Sequence, residues 1–413
     1  MLRVSSFVFD SGERYCLILS KETGLPIFYP NLYLTTQMRN RSVSYSTLIA
    51  EAAHIAGLYT FCGQQKIDLE SRLGNQECLS LQEVDHLRDF CQKNWTKNSI
   101  DSREVSISRH MKRNDGVCSS TQYARLTAIA NYLEWLPLAL VKHPSNSFQE
   151  DLKTMVGQIR ARRPQKKGRN PIDRSIDDEQ IEVLLEVVRP DSDINPFDSK
   201  VQVRNRLIVI LLFHLGIRRG ELLNIRVQDI NFSKNYLAIV RRPDDKDDFR
   251  ANAPHVKTQG RTLPLSDGLA KELHTYISKD RRSVRGAGKH DYLLVTHKEG
   301  PSLGQPLSKS GYQKILTELR GQSPKLREIT GHMLRHTWNR RFSEKFDAMD
   351  ESPSPERQEQ VRSYLMGWRE GSGTAATYNK RFIEQTGFKA SLGLQESSGL
   401  RAPKVKDEDH DDK

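Results

Sequence analysis

Cysteine is scarce in this chain, and its placement argues against two common roles. The five residues fall within the first third of the sequence, are odd in number and form no CxxC pair. Neither a disulfide framework nor a zinc site of the usual spacing is therefore indicated. The cysteines are Cys16, Cys62, Cys78, Cys91 and Cys118.

Long apolar runs are also missing. The longest, LIVILLFHLG at 207–216, is too short to cross a bilayer and contains a histidine. The first residues lack the basic-then-apolar pattern of a signal peptide. These features predict a soluble protein of a reducing compartment, located in the cytoplasm and without a membrane partner.

Positive charge is in excess. The chain has 413 residues, with 64 Lys and Arg against 52 Asp and Glu, which gives a formal net charge of +12. A chain of this length holds two or three domains with real cores. A folded basic protein favours a polyanionic partner, most often nucleic acid, although ribosomal and membrane-surface proteins share this property.

The pattern along the chain predicts a mainly α protein with a small β-sheet. Residues 1–42 are predicted to be a β-rich appendage, because aromatic and β-branched residues cluster between Gly, Pro and Asp. Residues 43–162 have helical periodicity and predict a helical domain. A basic linker at 163–175 precedes a second domain at 176–394. Residues 395–413 are almost devoid of apolar residues and predict a disordered tail.

Local signals place several helix ends. Ser80 with Glu83 has the spacing of a capping box, and Ser175 with Asp178 predicts another cap. Gly216 after the apolar run suits a left-handed helix end. Tyr236–Val240 and Val256–Leu265 are predicted to form a hairpin, and the charged run between them is predicted to be a long solvated tip.

The linker region is strongly basic. Six of the ten residues from Arg160 to Arg169 are Lys or Arg, and prolines and glycine break any helix. A solvated linker explains the run, and so does a segment that follows a phosphate backbone. The candidate DNA contacts are Arg162, Arg163, Lys166, Lys167 and Arg169.

Three basic residues and one acidic residue are candidates for a phosphate site. Arg218 follows the buried helix and Gly216, and Glu221 is close enough in sequence to pair with it. His332 and Arg335 are three apart on one helix face. Each of these patterns alone fits an ordinary surface. His332 and His336 also have metal-ligand spacing, but Met333 and the lack of a third ligand argue against a metal.

The order of the motifs is more specific than any one of them. GIRRGEL, KTQGRTLPL, HMLRH, MGW and ATYNKRF follow one another in the chain. This order resembles the tyrosine recombinase (phage integrase) family over roughly residues 176–385. The resemblance implies a helical core-binding domain and a catalytic domain that close on duplex DNA as a C-shaped clamp. The functional residues that it implies are Arg218, Lys257, His332, Arg335, Trp368 and Tyr378.

The resemblance also implies a chemistry. Arg218 and Arg335 would hold the scissile phosphate, Tyr378 would attack it and Lys257 would protonate the leaving oxygen. Trp368 takes the position where many relatives have histidine. Tyr364 is the only nearby rival nucleophile. No cofactor is implied.

The implied partners are double-stranded DNA, other copies of the chain in a tetramer on two DNA sites, and possible accessory proteins. The segment Phe382–Leu394 would be exchanged between copies. Two alternatives stay open at this point: a type IB topoisomerase-like enzyme, and a non-catalytic DNA-binding accessory factor with the same fold.

Overall fold

A computed structural model describes residues 2–41, 43–95, 116–165, 174–248, 250, 253–254, 256, 258–349, 353–368 and 391. The chain forms two compact units. The first comprises Met1–Pro171 with Asp244–Lys246, and the second comprises Ile172–Pro243 with Asp247–Lys413. The fold is mainly α with small antiparallel sheets, as the sequence predicts.

The first unit combines a hairpin with a helical bundle. Strands β1 (Leu2–Val8) and β2 (Arg14–Ser20) are antiparallel, with Leu2 opposite Ser20. The hairpin and the helices contribute to one apolar core. The helices are α1 (Phe28–Tyr33), α2 (Tyr45–Gln65), α3 (Leu69–Gly74), α4 (Leu81–Gln92), α5 (Ser119–Leu140) and α6 (Asn146–Ala161).

Not all of the region predicted to be β-rich forms strands, and residues 28–38 are the exception. This stretch forms α1 and then a π-helical turn at Leu34–Met38. Pro30 lies in the first turn of α1, where its missing N–H costs little. The Asn31 amide accepts from the backbone N–H of Ile18 at 2.9 Å and donates to its carbonyl at 2.8 Å. A tertiary contact to β2 therefore fixes the helix.

The second unit surrounds the apolar helix α8 (Ser199–Leu215), whose residues 207–213 are all buried. A three-stranded antiparallel sheet has the order β3 (Ile230–Asn231), β4 (Tyr236–Ile239), β5 (Arg261–Pro264). The other helices are α7 (Asp178–Val187), α9 (Arg219–Leu222), α10 (Asp267–Thr275), α11 (Lys309–Gln322), α12 (Gly331–Asp347) and α13 (Pro355–Met366).

The helix-end signals are mostly confirmed. Ser80 and Glu83 form the capping box that begins α4, and Gly216 ends α8 with φ of 59°. The cap predicted at Ser175 is wrong, because Asp177 caps α7 and exchanges hydrogen bonds with Gln180.

The sequence predicts a solvated tip between β4 and β5, but part of this tip is buried in the structure. Asp248 and Arg250 have side chains that are only 3% and 7% exposed, and they pair with each other at 2.8 Å. Within the described ranges, no helix has the length and apolar content needed to cross a membrane.

Candidate phosphate-binding site

Arg218 lies where the chain leaves α8 and begins α9. Gly216 takes the left-handed conformation that ends α8, and Arg218 is the residue before the first turn of α9. The Arg218 backbone N–H donates to Glu221 Oε2 at 2.9 Å, and the guanidinium Nη1 lies 3.7 Å from Glu221 Oε1. The side chain keeps 34% of its surface exposed. A basic group is thus held at the edge of the core and open to solvent.

Arg335 is buried in α12 and bonds the C-terminal ends of two other helices. Its Nη1 donates to the Gly216 carbonyl at 2.6 Å, and its Nη2 donates to the Met366 carbonyl at 2.9 Å. These carbonyls lie at the ends of α8 and α13, where helix dipoles favour a positive charge. The two helix ends therefore hold the planar guanidinium near Arg218 in a defined orientation.

His332 lies on α12 at the protein surface, three residues before Arg335. Atoms packed around its ring lower the pKa of His332, and the positive charges of Arg335, Arg218 and Arg174 lower this pKa further. A lowered pKa favours the neutral imidazole, in which one nitrogen donates and the other accepts. Arg174 adds a fourth basic group that the sequence did not single out.

Trp368 closes the other side of Arg335. Its ring centre lies 5.5 Å from the guanidinium carbon of Arg335, and its side chain is buried against Met366 and Trp338. The Trp368 backbone N–H donates to the Ser363 carbonyl at 2.9 Å. The end of α13 is thus fixed against the arginine.

The strongest partner of Glu221 is Arg261 rather than Arg218. Arg261 Nη2 donates to Glu221 Oε2 at 2.9 Å, and neither side chain has more than 1% exposed surface. Thr258 also donates its hydroxyl to Glu221 Oε1. Burial raises the pKa of Glu221, but the hydrogen bonds and charge of Arg261 outweigh it and leave this pKa below its usual value. Glu221 is therefore a buried carboxylate that joins α9 to β5.

Arg261 lies within the motif KTQGRTLPL, but the motif by itself does not indicate that this arginine is buried. Residues 261 and 263 of β5 are buried while 262 and 264 are exposed, so Arg261 shares the inward face with Leu263. An arginine on the inward face of a short strand needs a buried partner, which is the signal that would have found it.

Gly367 allows the end of α13 to approach β5 closely. It has φ of 63°, and a Cβ atom there would lie 2.7 Å from Arg261 Nη1 and 2.9 Å from Thr258 Cβ. The Gly367 carbonyl also accepts from the Gln259 backbone N–H at 3.3 Å. Only glycine combines this backbone conformation with this contact.

We expect Gly367→Ala to lower the free energy of unfolding by about 1–3 kcal/mol, because it adds left-handed strain and a contact with Arg261. Urea unfolding measures the change. Gly268→Ala is the matched control, since a Cβ at Gly268 meets nothing within 4 Å. The control should stay within about 1 kcal/mol of wild type, and equal losses in both variants would contradict the close-packing argument.

His332 and His336 lie close together on α12. The rings of His332 and His336 are 4.5 Å apart, edge to face. Across the described parts of the chain, no group of three or more His, Cys, Asp or Glu residues is arranged to hold a metal ion.

Two of the predicted DNA contacts, Arg162 and Arg163, bind within their own unit. Arg162 pairs with Asp85 at 2.5 Å. Arg163 donates to the Arg160 carbonyl at 2.9 Å and stacks over the Tyr123 ring. The other predicted contacts and two predicted catalytic residues lie outside the described residues; these are Lys166, Lys167, Arg169, Lys257 and Tyr378.

Comparison with known proteins finds a family match that covers the arginines and His332 of this site. Residues 174–350 match the model of the phage integrase family. Tyrosine recombinase XerA of Pyrococcus furiosus is 29% identical over 175 residues, which are 41% of this chain and 50% of the relative. Transposase A from transposon Tn554 of Staphylococcus aureus is 32% identical over 136 residues, which are 32% of this chain and 34% of the relative. The chain thus spans half or less of the length of these relatives.

Solved structures show the same fold. XerH site-specific recombinase bound to palindromic difH substrate gives a TM-score of 0.51 at 16% identity, over 86% of this chain and 82% of that one. The Tn1549 transposon integrase in complex with circular intermediate DNA gives 0.50 at 15% identity, over 85% and 94%.

Proposed function

We propose that this protein is a site-specific DNA recombinase. The proposal follows from the match of residues 174–350 to the phage integrase family of tyrosine recombinases. It would cut and rejoin DNA strands through a 3′-phosphotyrosyl intermediate, and so integrate or excise a mobile element. One observation carries the proposal: Arg335 of α12 donates to the carbonyl of Gly216, two residues before Arg218, and the charges of both arginines lower the pKa of His332 on the same helix.

The arginines suit a transition state in which a phosphodiester carries extra negative charge. A guanidinium is planar, always charged and able to donate two parallel hydrogen bonds to phosphate oxygens. Arg335 is held by two main-chain carbonyls. Its geometry is therefore set before DNA binds, and preorganised donors of this kind stabilise developing charge. Neutral His332 adds one hydrogen-bond donor to the same phosphate.

The cleavage step needs a nucleophile and an acid. The Tyr378 oxygen would form a bond to phosphorus while the bond from phosphorus to the 5′-oxygen breaks. The phenol has a free pKa of about 10, and the positive charges of the site favour its ionisation. Lys257 would give a proton to the departing 5′-oxygen. Attack by another 5′-hydroxyl reverses these events, so rejoining needs neither ATP nor a metal.

Binding to duplex DNA would depend on the basic surface of the chain. The net charge of +12 favours a polyanion, and neutralised phosphates make affinity fall with salt. Because Arg162 and Arg163 are engaged within their own unit, we assign the linker contacts mainly to Lys166, Lys167 and Arg169. In this scheme residues 43–162 bind the core DNA site, residues 176–394 catalyse, and the protein acts where DNA is, in the cytoplasm.

The assembly belongs to the same proposal. Exchange of strands between two DNA sites calls for four active sites, so we propose a tetramer on two sites. The segment Phe382–Leu394 would pass between neighbouring copies, and accessory proteins would set the direction of the reaction.

Covalent trapping tests the proposal. The full-length protein is incubated with nicked suicide duplexes from its own genetic flanks, with EDTA present, and adducts that resist denaturant are digested. Mass spectrometry should place the DNA on the peptide that contains Tyr378, attached through a 3′-phosphate. Tight binding without any adduct would instead indicate an accessory factor, and an adduct that EDTA abolishes would contradict metal-free cleavage.

A further inference from the structure

Arg261 joins three elements of the second unit from one buried position. It lies on β5, and its Nη2 and Nη1 donate to the two carboxylate oxygens of Glu221 on α9, at 2.9 and 3.2 Å. Its Nε donates to the Leu365 carbonyl of α13 at 2.5 Å. The guanidinium therefore holds the carboxylate of Glu221 in a bidentate pair, an arrangement that is both strong and specific in its geometry.

The same carboxylate lies beside Arg218. Glu221 Oε2 accepts from the Arg218 backbone N–H at 2.9 Å, and Glu221 Oε1 lies 3.7 Å from Arg218 Nη1, which is too long for a hydrogen bond. The Glu221 side chain has no exposed surface, whereas the Arg218 side chain keeps 34% of its surface exposed. Glu221 is thus near enough to pair closely with the Arg218 guanidinium, but its oxygens are bound by Arg261.

The charge of Glu221 matters for any phosphate that binds at Arg218. Charges within about 4–6 Å act strongly on each other, and water and salt screen a buried charge poorly. An unpaired carboxylate at Glu221 would therefore repel the phosphate and attract the arginine that is meant to hold it. Arg261 supplies the opposite charge inside the protein, so that the buried pair is neutral as a whole.

We propose that Arg261 is a positioning residue that neutralises Glu221 and thereby keeps the Arg218 guanidinium available for the DNA phosphate. This inference rests on the proposed recombinase function, in which Arg218 holds the scissile phosphate. Glu221 also fixes the backbone of Arg218 through its Oε2. The carboxylate thus has a use at this place, and Arg261 cancels the charge that comes with it.

The test separates charge from packing. Arg261→Met removes the positive charge at a similar volume and leaves Glu221 unpaired. The double variant Glu221→Gln with Arg261→Met removes both charges, and the loss of both charges of a buried pair is often tolerated by the fold. A glutamine at position 221 can still accept from the Arg218 N–H and donate to the Thr258 hydroxyl.

Arg281→Met is the matched control. Arg281 is 8% exposed and Arg261 is 6% exposed, so the two arginines are buried to a similar degree. The Arg281 guanidinium donates to three backbone carbonyls, those of Ala287, His290 and Tyr292. Because these partners are uncharged, the control removes a buried arginine without changing the charge of Glu221.

Single-turnover cleavage of the nicked suicide duplex is the first readout. Arg261→Met should cleave about 10–100 times more slowly than wild type, because Glu221 then competes with the phosphate for Arg218. The double variant should come within about fivefold of wild type, and Arg281→Met should match wild type. A double variant as slow as Arg261→Met would assign Arg261 a packing role and overturn the proposal. A wild-type rate in Arg261→Met, or an equal loss in Arg281→Met, would overturn it as well.

Chemical labelling of Arg218 separates this inference from the function beneath it. Phenylglyoxal modifies accessible arginines, and mass spectrometry gives the rate at residue 218 without DNA. In Arg261→Met this rate should fall by at least about threefold, because Glu221 then pairs with Arg218, and it should recover in the double variant. If wild type cleaves no DNA, the recombinase proposal fails, whereas the labelling still decides whether Arg261 controls Arg218. A labelling rate that does not fall in Arg261→Met would reject that control.

Discussion

Tyr378→Phe is expected to abolish the covalent protein–DNA adduct while DNA affinity stays within about twofold of wild type. The change removes one oxygen atom, and with it the only protein atom that the proposed mechanism joins to phosphorus. Loss of a nucleophile can reduce a rate by about a million-fold, so no adduct should form on the time scale of the assay. Denaturing gels score the adduct, and a native binding assay at fixed salt scores the affinity.

Tyr364→Phe is the matched control. Tyr364 lies on α13 with 57% of its surface exposed, and its hydroxyl has no role in the proposed chemistry. Its variant should form the adduct at the wild-type rate. An adduct that survives in Tyr378→Phe and disappears in Tyr364→Phe would move the nucleophile to α13 and refute the assignment.

Glu221→Ala is expected to lower the free energy of unfolding by about 3–5 kcal/mol, because it leaves the buried guanidinium of Arg261 without its carboxylate. The carboxylate also accepts from Thr258 and from the Arg218 backbone. Loss of the carboxylate therefore removes one acceptor from three donors at once: the Arg261 guanidinium, the Thr258 hydroxyl and the Arg218 backbone N–H. Urea unfolding followed by tryptophan fluorescence measures the change, and adduct formation should fall with it.

Glu179→Ala tests whether burial explains the large loss of stability that is expected for Glu221→Ala. Glu179 pairs with Lys325 on the surface of the same unit, where both side chains are well exposed, and such pairs contribute at most about 1 kcal/mol. If both variants lost equal stability, the buried pair would have no special role.

The stability that Glu221 contributes should also depend on pH. Its pKa is lower in the folded protein than in the unfolded chain. The contribution is therefore present above the unfolded pKa of about 4.3 and is lost as pH falls through the folded value. The difference between wild type and Glu221→Ala should thus shrink in acid, and a difference that grew there would contradict the lowered pKa.

Local patterns predicted the helices well. The capping residues of α4 and the glycine that ends α8 determine the course of the chain within a few residues of their own positions. Neighbouring residues in the sequence are therefore enough to predict these helix ends. Residues 119–140, within the region of helical periodicity at 43–162, likewise form one helix, α5. The relation between Arg218 and Glu221 is also local, and the structure brings these residues together.

Long-range contacts could not be predicted in the same way. Glu221 has Arg261 as its main partner, forty positions away. The burial of Arg250 depends on carbonyls of Leu223 and Leu307, which no pattern within its own charged run reveals. Residues 28–38 have the composition of a strand, yet the contact of Asn31 with β2 favours a helix.

The attachment of Arg335 has a consequence for how the sequence can change. Its guanidinium donates to main-chain carbonyls at the ends of α8 and α13, so substitutions of side chains along those helices leave the acceptors in place. An insertion or deletion of one residue in either helix would instead turn its terminal carbonyl by about 100° around the helix axis. The site therefore tolerates variation in the composition of α8 and α13 far better than variation in their length.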